Sequence, residues 1–317
     1  MKLFKYPALV RDEIIQNMEF ADVLTLSTIK RSQPLLKSAR YMTELNVKLN
    51  EDDTDDSILI YKNETSEEKI MLHLDAKPGK QKRSDGKHIS ELLVVNLVKH
   101  IKGPYEDPRE RLVQHLMKTF QFTKKTLECK RKIDESADQY VLNIMPKFDK
   151  VWLSNGYQFN WTLTKEDIRL FCKRVKDISI SLILREEENK FKFDEALECE
   201  KLWIHDDSDW LDIEKLLTRE NKMKHLQLCN VTEEDVNNIF TQWINGPTSV
   251  LSSVWFSVKN PTSDIVILKD ISANEITDLN SERDNTNKTS KRFKINRKCD
   301  GKLAMVTIGD GIITLVA

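Results

Sequence analysis

The sequence has no surplus of either charge. Its 317 residues include 50 basic and 51 acidic side chains. That balance excludes the general electrostatic attraction of a nucleic-acid or anionic-membrane binder. Ordered cysteines are also missing. Cys129, Cys172, Cys199, Cys229 and Cys299 are scattered, with no CxxC pair and no Cys/His cluster at zinc spacing. Scattered, unpaired thiols point to a reducing compartment, cytosol or nucleus. Long apolar runs are absent too. The uncharged stretch from Asn237 to Val258 carries Asn, Gln, Gly, Pro and Ser and does not read as a membrane span. At the N-terminus Lys2, Lys5, Arg11 and Asp12 interrupt the apolar residues, so no signal peptide is expected.

Catalytic signatures are missing as well: there is no GxGxxG, P-loop, GxSxG or HExxH. His205-Asp206-Asp207 followed by Asp209 is the one tempting His/carboxylate cluster. It falls where a strand gives way to a helix, so Asp209 reads as an N-cap and its neighbours as a solvated turn. Cys229 follows the core residue Leu228 on the outward side of a strand, with no base beside it, and reads as an inert thiol. No metal, no cofactor and no catalytic role are expected.

What is present is a change of period along the chain. Residues 1–40 read as three short helices: Pro7 suits a first helical turn, and Leu9, Val10, Ile14, Ile15 and Met18 then mark an apolar stripe. Asp22 opens a second helix with Val23, Leu24, Leu26 and Ser27, and Pro34 a third. Three such helices cannot close a core alone and need a partner surface or the rest of the chain. Alternation at Leu45/Val47/Leu49, Ile58/Ile60 and Ile70/Leu72/Leu74 gives three strands. A basic stretch, 77–88, reads as a loop, and helical patterns follow near 89–102 and 108–120.

From 145 onward the chain repeats. Phe148-x-x-Val151-x-Leu153 aligns with Val175-x-x-Ile178-x-Ile180, Cys199-x-x-Leu202-x-Ile204, Met223-x-x-Leu226-x-Leu228 and Leu251-x-x-Val254-x-Phe256. The intervals are 27, 24, 24 and 28 residues, and Asn155 and Asn230 follow two of the units. This resembles a loosely spaced leucine-rich repeat, LxxLxLxxN, with the Asn one place early. Thr164-Lys-Glu-Asp167 and Thr232-Glu-Glu-Asp235 open connecting helices by capping boxes. Asp209-Trp-Leu-Asp212 is expected to open a third. Such units stack strand on strand with a continuous core beneath. Phe293–Arg297, Leu303–Ile308 and Ile312–Val316 then form a terminal meander that caps the solenoid, with Asp300-Gly301 and Asp310-Gly311 as turns. The polar run 272–291 before it reads as a loop.

Positions between the core residues form two outward columns. The first is Trp152, Ser179, Trp203, Gln227 and Trp255; the second is Ser154, Ser181, His205, Cys229 and Ser257. On neighbouring strands about 4.8 Å apart the indoles recur at about 10 Å. Two readings stand. Trp152, Trp203, His205, Gln227 and Trp255 form a recognition face, or strands 41–75 or the terminal meander cover them.

The first forty residues also resemble an F-box. Tyr6-Pro7 opens a helix, Leu9, Val10, Ile14, Ile15 and Met18 follow, and then Asp22, Val23-Leu24-x-Leu26-Ser27 and the basic pair Lys30-Arg31. Tyr6 stands where the family usually has Leu. The segments "LQLCN" (226–230), "TEEDVNNIFTQWING" (232–246) and "FKINRKCDGKLAMVTI" (293–308) are similar to the F-box-associated type 2 domain of nematode-type F-box proteins. The resemblance implies an α/β chain of three parts. Residues 1–40 are an F-box, 41–144 a β-meander, basic loop and helices, and 145–317 a leucine-rich-repeat-like domain with a β cap. It implies a substrate receptor of a cullin-type ubiquitin ligase, with an Skp-type adaptor and a target protein as partners and neither nucleic acid nor membrane. The adaptor contacts would be Tyr6, Pro7, Leu9, Val10, Ile14, Met18, Leu24, Leu26 and Ser27, with Ile15 and Val23 packed internally. A repeat-based interaction module without ligase function is the alternative.

Overall fold

The computed structural model describes residues 5–38, 44–50, 56–61, 69–73, 101, 104, 106–134, 138–154, 164–181, 192–206, 208–246, 250–259, 264–276 and 290–317. The chain is mixed α/β and falls into two compact units, Met1–Trp161 and Thr162–Ala317.

In the first unit Pro7 precedes α1 (Ala8–Gln16), followed by α2 (Phe20–Ser27) and α3 (Gln33–Ser38). Ile15, Val23, Leu24 and Leu36 are buried beneath them. The three strands expected from alternation are β1 (Glu44–Leu49), β2 (Ser57–Tyr61) and β3 (Lys69–His73). The basic stretch 77–88, most of the helix expected at 89–102, and Asn155 lie outside the described residues. Next comes α4 (Pro108–Thr119), with Asp107 accepting the Arg109 N–H at 2.7 Å as its cap.

Two elements follow that hydrophobic pattern does not announce, β4 (Lys124–Cys129) and α5 (Gln139–Ile144), before β5 (Lys150–Ser154), the first of the repeated strands. β4 is a charged sequence, Lys-Lys-Thr-Leu-Glu-Cys. It pairs parallel to both β1 and β5, while β1, β2 and β3 pair antiparallel. Its Glu128 is accommodated by Lys48 at 2.8 Å and Lys130 at 3.4 Å. These ion pairs replace the apolar partner that periodicity looks for.

The second unit holds α6 (Lys165–Arg174) and four parallel strands that neighbour one another in chain order: β6 (Asp177–Ser181), β7 (Lys201–Ile204), β8 (His225–Val231) and β9 (Ser253–Val258). Between β8 and β9 runs α7 (Glu233–Asn245). Both expected capping boxes are formed. Thr164 accepts the Asp167 N–H at 3.2 Å and Thr232 the Asp235 N–H at 3.1 Å, with each carboxylate returning to the cap N–H. All the repeat-core residues of the five aligned strands are buried, the most open being Phe148 at 5%. Phe240 of α7 stacks edge-on to Phe256 of β9, centroids 6.0 Å apart.

The helix expected from Asp209 does not form there. Phe193 N–H donates to Trp210 O at 2.7 Å and pairs as a parallel bridge with Leu211. That holds 210–212 out of helical geometry, and a 3₁₀ turn, Ile213–Thr218, starts after Asp212 instead. Asn230, read as a repeat asparagine, is an exposed left-handed residue (φ 58°) at a register shift in β8, not an inward one.

Beyond β9 come a short helix, α8 (Asp264–Ile267), then β10 (Ala273–Glu275), β11 (Lys291–Asn296), β12 (Leu303–Gly309) and β13 (Ile312–Val316). β10 lies inside the run read as loop and forms an edge strand beside β11. Residues 277–289 of that run lie outside the described set. The meander extends the sheet: β13 pairs antiparallel with β9, and the order is β10-β11-β12-β13-β9-β8-β7-β6. Asp310 (φ 45°) and Gly311 (φ 75°) make the tight β12–β13 turn, both in the left-handed region a type I′ hairpin requires.

Candidate protein-interaction surfaces

The N-terminal helices of the first unit divide the expected adaptor contacts in two. Tyr6, Pro7, Leu9 and Val10 are exposed, Leu9 to 84%, and Ile14, Met18 and Leu26 are half-buried. Leu24 and Ser27 are fully buried and are not available to a partner in this conformation. They sit three residues apart, on the inward side of α2 with Val23. The Ser27 hydroxyl donates to Leu24 O at 2.6 Å, so its oxygen accepts from His115 Nε2–H of α4 at 2.8 Å. Burial, with Lys118 nearby, pushes His115 down to about 4, so the imidazole is neutral at pH 7. Ile15 and Val23 are buried, as expected of internal packing.

A second buried polar group in this unit is spent on structure. Asp56 accepts from Arg131 at 3.0 Å, from Tyr140 OH at 3.0 Å and from the Asn50 N–H at 3.0 Å, and Arg131 also reaches Asp138. Burial raises the Asp56 carboxyl to about 6 in spite of Arg131. Trp152 of β5 is 39% exposed. Strands β1–β3 continue the sheet that carries it, instead of lying over the indole.

In the second unit the strand register builds the outward face row by row. Ser179, Trp203, Gln227 and Trp255 are consecutive partners, and the row continues through Thr314, Thr307 and Arg292. Trp203 and Trp255 are half-buried, with Gln227 between them. Two strand spacings separate the indoles, about 10 Å. The terminal meander joins the edge of this sheet and does not cover them.

No family model, curated protein or solved structure matches this chain.

His205 bonds Ser179 Oγ at 2.8 Å, and Asp206 accepts from Ser181 Oγ at 3.0 Å. The sheet's own serines therefore hold the cluster that resembled a reactive site. Asp209 is exposed and caps no helix, and Asp207 lies outside the described residues. Among the described residues no group of three or more His, Cys, Asp or Glu side chains is placed to hold a metal. Burial raises the Cys229 thiol, which disfavours the thiolate. A cleft of about 690 Å³ beside the 3₁₀ turn is lined by charges of both signs, and Arg219 pairs there with Asp212 at 2.5 Å. No helix among the described residues is long and apolar enough to cross a membrane.

The indole columns omit the contribution of the meander. Leu303, Ile312 and Val316 are 50%, 44% and 57% exposed, on the same face as Trp255. A signal for them exists in the sequence: Leu303/Met305/Thr307 alternate with the buried Ala304/Val306/Ile308. Their relation to Trp255 depends on β13 pairing with β9, which no local pattern reveals.

Proposed function

We propose that the chain is the substrate-recognition subunit of a cullin-type ubiquitin ligase. In this reading the N-terminal helices bind an Skp-type adaptor, and the leucine-rich-repeat-like strands present a target protein. One observation supports it most: the stripe expected to meet an adaptor is exposed at Tyr6, Pro7, Leu9 and Val10, while its neighbours Ile15 and Val23 are core. An exposed apolar helix face against a partner helix is a standard interface. The outward row of Trp203, Gln227 and Trp255 supplies the target face, where Trp typically anchors binding. The role requires no catalytic group and no cofactor, because such a receptor contributes proximity. It operates in the cytosol or nucleus.

Co-purification with an Skp-type adaptor tests the first half. The wild-type chain should capture it, and Ile14→Asp should lose it with the fold retained by circular dichroism. Absence of capture by wild type would sink the adaptor role. The buried Leu24 and Ser27 favour the second reading, an interaction module in which these helices only complete the first unit. That reading expects no capture, with partner binding through the sheet intact.

A further inference from the structure

The outward face of the second unit is uncharged across its centre. Strands β8, β9, β13 and β12 are successive neighbours there. Their outward positions, which alternate with buried core residues, include no Asp, Glu, Lys or Arg. The chain as a whole is 32% charged, so a merely solvated surface of this extent would carry several such residues. Gln227, Trp255, Thr314 and Thr307 run across the middle in register. Ile312 and Val316, two residues to either side of Thr314, are diagonal neighbours of the Trp255 indole and are exposed. His225, at the edge of this centre, is held by Ser253 Oγ at 2.7 Å. Charges return on the flanking strands. Lys201 of β7 lies directly opposite Asp177 of β6, and β11 carries Arg292 and Lys294. A centre depleted of charge and holding aromatic and aliphatic side chains, inside a polar rim, is the composition of a protein interface.

We propose that this face takes a short extended segment of a partner protein that is itself uncharged and bears apolar side chains. The inference rests on the receptor reading above and specifies what the receptor selects. A charged side chain laid on this centre would lose its water and meet no opposite charge. Apolar side chains would instead be buried against Trp255, Ile312 and Val316. Gln227 and Thr314 supply hydrogen-bonding groups for the segment's backbone. Three strand spacings separate β8 from β12, about 14 Å, and three outward positions along a strand span about another 14 Å. An extended segment of about four residues crosses that width. The patch is too small for a second copy of the chain, since a stable dimer covers about 800 Å² on each partner.

The experiment pans a displayed random-peptide library against the full chain and measures the selected peptides by calorimetry. Selected peptides should be poor in Asp, Glu, Lys and Arg and rich in apolar residues. Raising the salt from about 0.05 to 0.5 M should leave their affinity within about twofold. Thr314→Lys and Thr314→Glu should each weaken them by about tenfold or more, because a charge of either sign then lies desolvated beneath the segment. Thr314→Val should retain them. Melting curves are measured for all three variants, and Gln227→Lys with Gln227→Glu on β8 repeat the test if a Thr314 variant melts early. The inference is overturned by peptides rich in one sign of charge, by affinity that either introduced charge leaves intact, or by displacement with a single-stranded oligonucleotide. Sedimentation of the chain as a dimer that Thr314→Lys dissociates overturns it too, as does the absence of any selected peptide. Adaptor capture, measured in parallel, separates the two failures. Capture without uncharged peptides removes this inference and leaves the ligase reading. Uncharged peptides without capture do the reverse.

Discussion

His115 and Asp56 are both buried in the first unit, and burial shifts them in opposite directions. His115 falls from 6.5 to about 4, so the unfolded chain takes up its proton first as pH drops. The stability it holds above 6.5 is lost between 6.5 and 4, up to about 3 kcal/mol. Asp56 rises from 3.8 to about 6, so the native chain binds its proton first, and stability is gained as pH falls through that window. The two effects offset each other between pH 4 and 6. Asp56→Asn should therefore lose stability on acidification relative to wild type, and His115→Gln should gain it. Urea unfolding at a series of pH values reads this directly; parallel curves for the two variants would refute the pair of assignments.

Individual elements differ in how openly the sequence announces them. A capping box is written in four adjacent residues, so Thr164-x-x-Asp167 and Thr232-x-x-Asp235 are legible from local sequence alone. Thr232→Ala should cost about 1 kcal/mol by chemical denaturation, because it leaves the Asp235 N–H of the first turn without its acceptor. The repeat strands are legible for a related reason, since each carries its own apolar spacing. β4 is not, because its place between β1 and β5 and the Lys48 partner of its Glu128 come from residues distant in sequence. The helix after Asp209 does not form because the distant Phe193 bonds Trp210 O and bridges Leu211. Leu24 and Ser27 are buried because α2 has two apolar sides, and the inward one is set by distant residues such as His115 of α4, which meets Ser27. Local signals identify the elements; partners far along the chain decide orientation and, in these cases, existence.

Within each unit the sheet grows by addition at an edge, and the outward face follows from the order of addition. The Trp203–Gln227–Trp255 row is legible as a column, and the structure adds the meander residues beside it. Pairing of β13 with β9 also occupies the side of β9 away from β8, which would otherwise present unsatisfied N–H and C=O groups. Thr314 points outward in the middle of β13, flanked by Ile313 and Leu315, which are fully buried. Thr314→Pro would remove a ladder donor while leaving those core side chains in place. Light scattering of this variant should rise with concentration while wild type stays flat; equal scattering would refute the idea. The β12–β13 hairpin would then be a stopper: loosen it, and the same stacking that builds the unit is free to run from one molecule to the next as a polymer.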